Sequence, residues 1–392
     1  MKETFMTELV HLGSYKPIPT TSVPKVMPIF MSSAFSFEGS EICNEVCYEK
    51  TDGYFYGSYG NPTSDALKEI LTAIEGAEAC EVFASGMAAI TMAILSQVKS
   101  GDHIIASKVI YGNVFKFLKA ELGERFNVEV SFVDLKAENL SDLFKPNTKL
   151  VYMETVSNPL IEVLDIEKIA AVAHAHDAKL MVDNTFATPI VCQPLKFGAD
   201  LVVYSATKFL NGHSDIMAGA VLGGKEDLNR VIDLGRTYGP TMSPFDAWLL
   251  MRSMRTLALR MEKHCSNAEK LAAFLDGHTK VQRVYYPGLP SFGDYDTAKK
   301  LFNNGYYGGM LAVDLGSQAN ISKFVSEAKL SKIVASLGTY TTSLCDTTIT
   351  HSGMTVEERA AAGLPEGLLR VSIGLESIEE IIEEFDRIMT AL

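Results

Sequence analysis

Three short stretches carry residue types that could act together on one ligand. In ADLVVYSATKFLNGHSD (199–215) an apolar run ends in Ser205, Thr207 and Lys208, two hydroxyls and an amine directly after a core-type strand. In VDNTFATP (182–189) Asp183 closes a second apolar run, and in ASGMAAI (84–90) Ser85, Gly86 and Met87 open an apolar helix. A helix N-terminus presents unpaired backbone N–H groups, and glycine lets an anion approach them. Ser205 and Thr207 are two residues apart, so in an extended segment both hydroxyls face one way and reach the same phosphate. A phosphate cradle, a carboxylate and a lysine are what pyridoxal phosphate (PLP) requires. The lysine forms a Schiff base with the aldehyde, and the aspartate keeps the pyridine nitrogen protonated so that the ring can take up the electrons of a carbanion. Singly, each feature has a commoner explanation: a solvated lysine, a turn aspartate, an ordinary helix start.

Their force depends on the elements that position them. HIIA (103–106), VEVSFVD (128–134), KLVYME (149–154), KLMVDN (179–184) and DLVVYS (200–205) read as short apolar strands separated by helical stretches. DIEKIAAVAHAHDA (165–178) is the clearest helix, with Asp165 as its cap, and SDALKEILTAIEG (64–76) reads as another, with Ser64 as N-cap and Gly76 as stop. Such alternation predicts an α/β fold with a mostly parallel sheet covered on both faces, which binds ligands beyond the carboxyl ends of its strands. Lys208, Asp183 and Asn158, the last within ETVSNP (154–159), all fall at such ends. We divide the chain into an N-terminal arm (1–60), a cofactor-binding domain (61–257) and a smaller α/β C-terminal domain (258–392) whose strands are VQRVYY, GMLAVDL and LLRVSIG. The arm is rich in Pro, Ser and Tyr without helical periodicity, as expected of a segment lying against the main domain or a second subunit.

Composition excludes several other classes. A net charge of −13 without a basic stripe argues against nucleic-acid binding. No apolar run reaches the roughly 18–20 residues of a membrane helix. The opening MKETFMTELV is too polar for a signal peptide, so a cytoplasmic location is expected. Six cysteines without a CxxC pair predict neither a disulfide framework nor structural zinc. His174 and His176 are two apart on a helix and face different ways, so no metal is expected.

At the level of motifs the chain resembles the trans-sulfuration (Cys/Met metabolism) family of PLP-dependent enzymes, which includes methionine γ-lyase, cystathionine γ-lyase, cystathionine γ-synthase and O-acetylhomoserine sulfhydrylase. The resemblance runs through YGNPT (59–63), ASGMAAI, YGN (111–113), VSNP (156–159), VDNTFATP, the lysine segment, LRMEKHCSNA (259–268), YPGL (286–289), THSGM (350–354) and LLRVSIGLE (368–376). It implies an aspartate-aminotransferase-like architecture (PLP fold type I) and a homotetramer built as a dimer of dimers. Lys208 then matches the Schiff-base lysine and Asp183 the partner of the pyridinium nitrogen, while Ser85, Gly86, Met87, Ser205 and Thr207 fall at the phosphate. Tyr111 matches the aromatic that stacks on the ring and assists the leaving group. Arg370 matches the residue gripping the α-carboxylate of a small amino-acid substrate, with Asn158 and Ser336 nearby. Tyr56 matches a tyrosine that the arm delivers to the neighbouring subunit's phosphate.

Against this pattern the chain departs at three places. The family's arm loop reads Tyr-x-Arg-x-x-Asn-Pro-Thr, whereas Ser58 stands in the arginine's place. Asn113 follows Tyr-Gly where methionine γ-lyases generally carry cysteine. Thr341 lies near the position of a glutamate common in cystathionine enzymes, in a stretch one residue shorter. The last two replacements favour a polar, uncharged contact with the distal end of the substrate. The resemblance implies γ-elimination from a sulfur-containing or O-activated homoserine-type amino acid, with γ-replacement as the alternative. A nucleotide-binding oxidoreductase is disfavoured by the lack of GxGxxG after a first strand, and a non-catalytic relative by the retention of Lys208, Asp183 and Arg370.

Overall fold

The computed structural model describes residues 22–346, 348, 357, 359 and 363–392, so THSGM (350–354) and the first third of the arm lie outside the described residues. The large sheet comprises β1 (Ala79–Phe83), β2 (His103–Ser107), β3 (Glu129–Val133), β4 (Thr148–Glu154), β5 (Lys179–Asp183), β6 (Leu201–Tyr204) and β7 (Gly219–Gly223), in the order β1-β7-β6-β5-β4-β2-β3. The pairs β2–β3, β2–β4, β4–β5 and β5–β6 are parallel, and β7 runs against both β1 and β6. Both faces are buried: Leu150 and Tyr152 of β4 join one core cluster, and Val151 and Met153 join the other. The apolar strand runs recognised in the sequence have this cause.

β1 and β7 were not among the expected strands, and the glycines of β7 explain why it has little strand signature. A Cβ on Gly219 would lie 2.1 Å from the Ser85 carbonyl oxygen, so glycine is required for the helix at Ser85 to approach the sheet.

A second sheet holds β8 (Arg283–Tyr285), β9 (Met310–Asp314), β10 (Lys332–Ile333), β11 (Ser343–Asp346) and β12 (Leu368–Ser372), ordered β10-β11-β12-β9-β8. Only β10–β11 is parallel. Helices Pro244–Met254 and Leu257–Asp276 separate the two sheets in the chain.

One expected cap is corrected. The helix read from Ser64 begins two residues earlier, at Pro62, because Asn61 accepts the Thr63 N–H at 2.9 Å and proline suits the first helical turn. Gly76 ends it with a left-handed φ of 77°. The arm is tied to this corner: Trp248 Nε1 donates to Met27 O at 2.9 Å and Phe30 N donates to Thr63 Oγ1 at 2.9 Å. His174 and His176 bond Asp200 and Ser141 separately. Among the described residues no group of His, Cys, Asp and Glu could hold a metal ion, and no helix is long and apolar enough to cross a membrane.

Candidate active site

The carboxyl ends of β2, β4, β5 and β6 open into a cavity of about 510 Å³, closed on the far side by residues 335–337 and by β11 and β12. Of the residues singled out in the sequence, Ser85, Gly86, Met87, Tyr111, Asn113, Asn158, Asp183, Ser205, Thr207, Lys208, Ser336 and Arg370 all line it. Tyr56, Ser58 and Thr341 do not. Tyr56 and Thr341 are exposed elsewhere, and Ser58 lines a separate small pocket.

Ser336 joins the two basic side chains. Lys208 Nζ donates to Ser336 Oγ at 2.9 Å, and Arg370 Nη2 donates to the carbonyl of the same residue at 3.1 Å. Arg370 Nη1 donates to Asn158 Oδ1 at 2.9 Å, while its buried Nε has no hydrogen-bond partner among the described residues. Burial, and then the positive charge of Arg370, push the Lys208 ammonium below the ordinary lysine range, enlarging its nucleophilic neutral fraction.

Behind the lysine a buried guanidinium fixes the turn. Arg260 donates to the carbonyls of Phe209 at 2.7 Å, Leu210 at 3.1 Å and Ser253 at 3.0 Å. A Cβ on Gly212, at φ 76°, would meet Arg260 Nη1 at 2.3 Å, which accounts for the glycine of FLNG.

Asp183 ends β5 in register with Glu154 at the end of β4, and both carboxylates are buried. Asp183 accepts the Thr185 N–H at 3.0 Å, and the Tyr152 hydroxyl stands 3.5 Å away. Burial raises its pKa against the pull of these donors. Glu154 accepts the N–H groups of Tyr111 at 2.7 Å and Asn158 at 2.9 Å, and burial, reinforced by the Asp183 charge, pushes it up to about 8. It lines the cavity, and the motifs assign it no role. Its signal was available: a carboxylate closing a strand beside the strand that ends in Asp183.

The phosphate cradle differs locally from expectation. Residues 205–208 form a turn rather than an extended segment, because Lys208 N donates back to Ser205 O at 3.1 Å. Thr207 Oγ1 is engaged with the Ala218 backbone, donating to its carbonyl at 3.2 Å and accepting its N–H at 2.9 Å. Both side chains still reach the cavity. Ser85 caps the helix Gly86–Gln97 by accepting the Ala88 N–H at 3.1 Å. A Cβ on Gly86 would lie 2.6 Å from Ser205 Cβ, so only glycine lets the helix end meet the turn. Thr185 Oγ1 accepts the Ser205 N–H at 2.8 Å and so ties the Asp183 loop to that turn.

These residues fit PLP. The glycine cradle offers N–H groups to a phosphate, and Lys208 has the depressed basicity of an amine that attacks aldehydes. Asp183 is a buried carboxylate without a cationic partner among the described residues, and a pyridinium N–H would supply one.

A two-sided α/β sheet with lysine, aspartate and a helix N-terminus at its strand ends defines a PLP-dependent enzyme of fold type I. Residues 6–390 match the family model described as Cys/Met metabolism PLP-dependent enzyme, and the chain belongs to that family. It is 42% identical over 391 residues to an L-methionine gamma-lyase of Porphyromonas gingivalis, covering 98% of this chain and 96% of that one. Among solved structures, the cystathionine gamma synthase of Xanthomonas oryzae pv. oryzae in complex with aminoacrylate and cysteine is similar at 35% identity and TM-score 0.87, covering 93% of this chain and 92% of the other. An O-acetylhomoserine (thiol)-lyase of Campylobacter jejuni, carrying a pyridoxyl-lysine monophosphate, is similar at 29% identity and TM-score 0.89, covering 93% and 95%.

Proposed function

We propose that the chain is a carbon–sulfur lyase that eliminates the γ-substituent of a sulfur-containing or O-activated homoserine-type amino acid, giving 2-oxobutanoate, ammonia and, from sulfur substrates, a thiol. The observation that carries this reading is the bridge through Ser336. Arg370 is the cavity's fixed cation for a carboxylate, and one residue separates it from the Lys208 amine. An α-amino acid held by its carboxylate therefore presents its α-carbon to Lys208.

Lys208 would anchor the cofactor, Asp183 would keep a proton on its ring nitrogen, and Ser85, Gly86, Met87, Ser205 and Thr207 would hold its phosphate. PLP, when bound, supplies the electron sink that stabilises negative charge at the α-carbon. The chain does the rest. Arg370, braced by Asn158, orients the carboxylate in the bidentate geometry that guanidinium favours. Lys208, once displaced by the substrate amine, removes the α-proton and carries it onward. Tyr111 protonates the departing group, and Asn113, whose amide donates to the Tyr111 phenol oxygen at 2.9 Å, orients that hydroxyl. Tyr56 and Ser58, outside this chain's cavity, fit a homotetramer in which each arm completes a neighbour's site.

The same groups serve γ-replacement when a thiol takes the place of water, and two similar solved structures are a synthase and a thiol-lyase. Keto-acid release from methionine, cystathionine, cysteine and O-acetylhomoserine, each with and without sulfide or cysteine, separates the two readings. Keto acid from methionine or cystathionine alone is expected. Little keto acid alone, with homocysteine or cystathionine appearing once a thiol is added, makes the protein a synthase.

A further inference from the structure

The serine at position 58 removes a cation from the arm, and the fold places another beside it. Arg236, in the last turn of the helix Lys225–Tyr238, shares a pocket of about 40 Å³ with Gly57, Ser58 and Tyr59. Its guanidinium lies 4.9 Å from the centre of the Tyr59 ring, and Nη2 reaches Tyr59 O at 3.5 Å. Nη1 pairs with Glu49 at 3.1 Å, but the Glu49 side chain is 73% exposed, so this pair is weak and screened. Arg236 Nε is buried and has no hydrogen-bond partner among the described residues. The other cation of the pocket, Lys68, is held by Glu81 at 2.9 Å and Asp65 at 3.4 Å. Stacking on an aromatic ring leaves the edge of a guanidinium available to an anion.

We infer that Arg236 replaces the missing arm arginine and is the cation this chain carries to the neighbouring subunit's PLP phosphate. This rests on the reading of the active site as shared between subunits. The charge comes from the helix behind the loop rather than from the loop, and Tyr59 aims it. Ser58, with its short side chain, leaves room for it.

The test is PLP titration of the apoprotein, followed by absorbance, for the wild type, Arg236→Ala, Ser58→Arg and the double variant, each also sedimented to establish its oligomeric state. Arg236→Ala is expected to remain a tetramer and to bind PLP about ten- to a hundredfold more weakly, the loss of one charge-assisted phosphate contact. Ser58→Arg in the Arg236→Ala background is expected to restore most of that affinity. In the wild-type background Ser58→Arg should change it little, because the phosphate already has its cation. Unchanged PLP affinity in tetrameric Arg236→Ala overturns the inference and leaves the shared site standing. So does strong tightening by Ser58→Arg alone, which would reveal a phosphate lacking a cation and holds even if Arg236→Ala fails to fold. A wild type that sediments as a monomer overturns the shared site, and the inference with it.

Discussion

Arg370 Nη1 donates to Asn158 Oδ1 at 2.9 Å, joining β12 of the small sheet to the loop after β4 of the large one. The two residues stand 212 positions apart in the chain, yet both are buried in one cavity wall. The proposed substrate anchor therefore also links the two sheets. Arg370 Nη2 bonds the Ser336 carbonyl, so the guanidinium is aimed before any carboxylate arrives, which lowers the ordering cost of binding.

Arg370→Lys keeps the charge and loses the fork. A lysine cannot satisfy Asn158, Ser336 and a carboxylate together in the same plane. We expect kcat/KM to fall by about a hundredfold or more, mostly through KM, since hydrogen bonds to charged groups contribute roughly 1.5–3 kcal/mol each. The cofactor's visible spectrum should be unchanged. Unaltered steady-state kinetics would show that the carboxylate binds elsewhere.

Lys208→Ala removes the proposed cofactor anchor and proton carrier together. Wild-type protein is expected to be yellow and to bleach with borohydride, whereas the variant should lose its cofactor on dialysis. Turnover should fall at least about a thousandfold, as for other removals of a general base. Retained colour that still bleaches would move the anchoring role to a different lysine.

Much of this site was legible before any coordinates, for physical reasons that differ from residue to residue. Asp183, Ser205 and Lys208 follow continuous apolar runs, because a parallel sheet buried on both faces admits polar groups only at its ends. Ser85 and Gly86 announced a helix start. Glu154 was legible as a polar group at a strand end but not in its role, because the Tyr111 and Asn158 N–H groups that it holds are contacts no spacing encodes. Strand β7 was hidden because its glycines answer to the close approach of two carbonyls, that of Ser85 at Gly219 and that of Asp200 at Gly223, a tertiary demand. Residues 205–208 were read as extended, whereas Arg260, from a helix 50 residues on, holds the carbonyls beyond a turn. Tyr56 and Ser58 were legible as an arm, but what an arm reaches lies outside its own chain.

Gly86→Ala tests the cradle. The added methyl would sit 2.6 Å from Ser205 Cβ and 2.8 Å from its Cα, where backbone must give way. Separating the helix start from the turn weakens every contact to a phosphate between them. We expect PLP affinity, measured by titration of the apoprotein, to drop at least about tenfold, with a stability cost of roughly 1–3 kcal/mol. Gly76→Ala is the control for general glycine effects: its Cβ meets nothing within 4 Å, so only the strain of φ 77° is paid. Equal PLP affinity in the two variants would place the phosphate elsewhere.

Glu154→Gln tests the buried carboxylate through its titration. Glu154 is raised to about 8, by burial first and the Asp183 charge second. In the unfolded chain a glutamate titrates near about 4.3. Because the folded value is the higher, the contribution to stability is fully present below the unfolded pKa and is lost as pH rises towards about 8. Glutamine does not titrate, so its stability lacks this component. Glu75, also raised by burial, is common to both proteins and cancels, whereas Asp183 titrates together with Glu154 and its response is part of the difference. In the apoprotein, the stability of wild type relative to Glu154→Gln should therefore decline between about pH 4.5 and pH 8, by on the order of 1–4 kcal/mol. Chemical denaturation at pH 5, 6.5 and 8 measures it, and parallel curves would mean that Glu154 ionises alike in both states. A second consequence follows from the geometry above about pH 8, where the carboxylate is ionised and accepts two N–H bonds. A glutamine amide offers one oxygen and must turn its NH2 towards the other donor. Either Tyr111 or Asn158 then loses its hold. A fall in kcat at unchanged KM would identify Tyr111, at the leaving group, as the displaced partner. A rise in KM would identify Asn158, through its contact with Arg370.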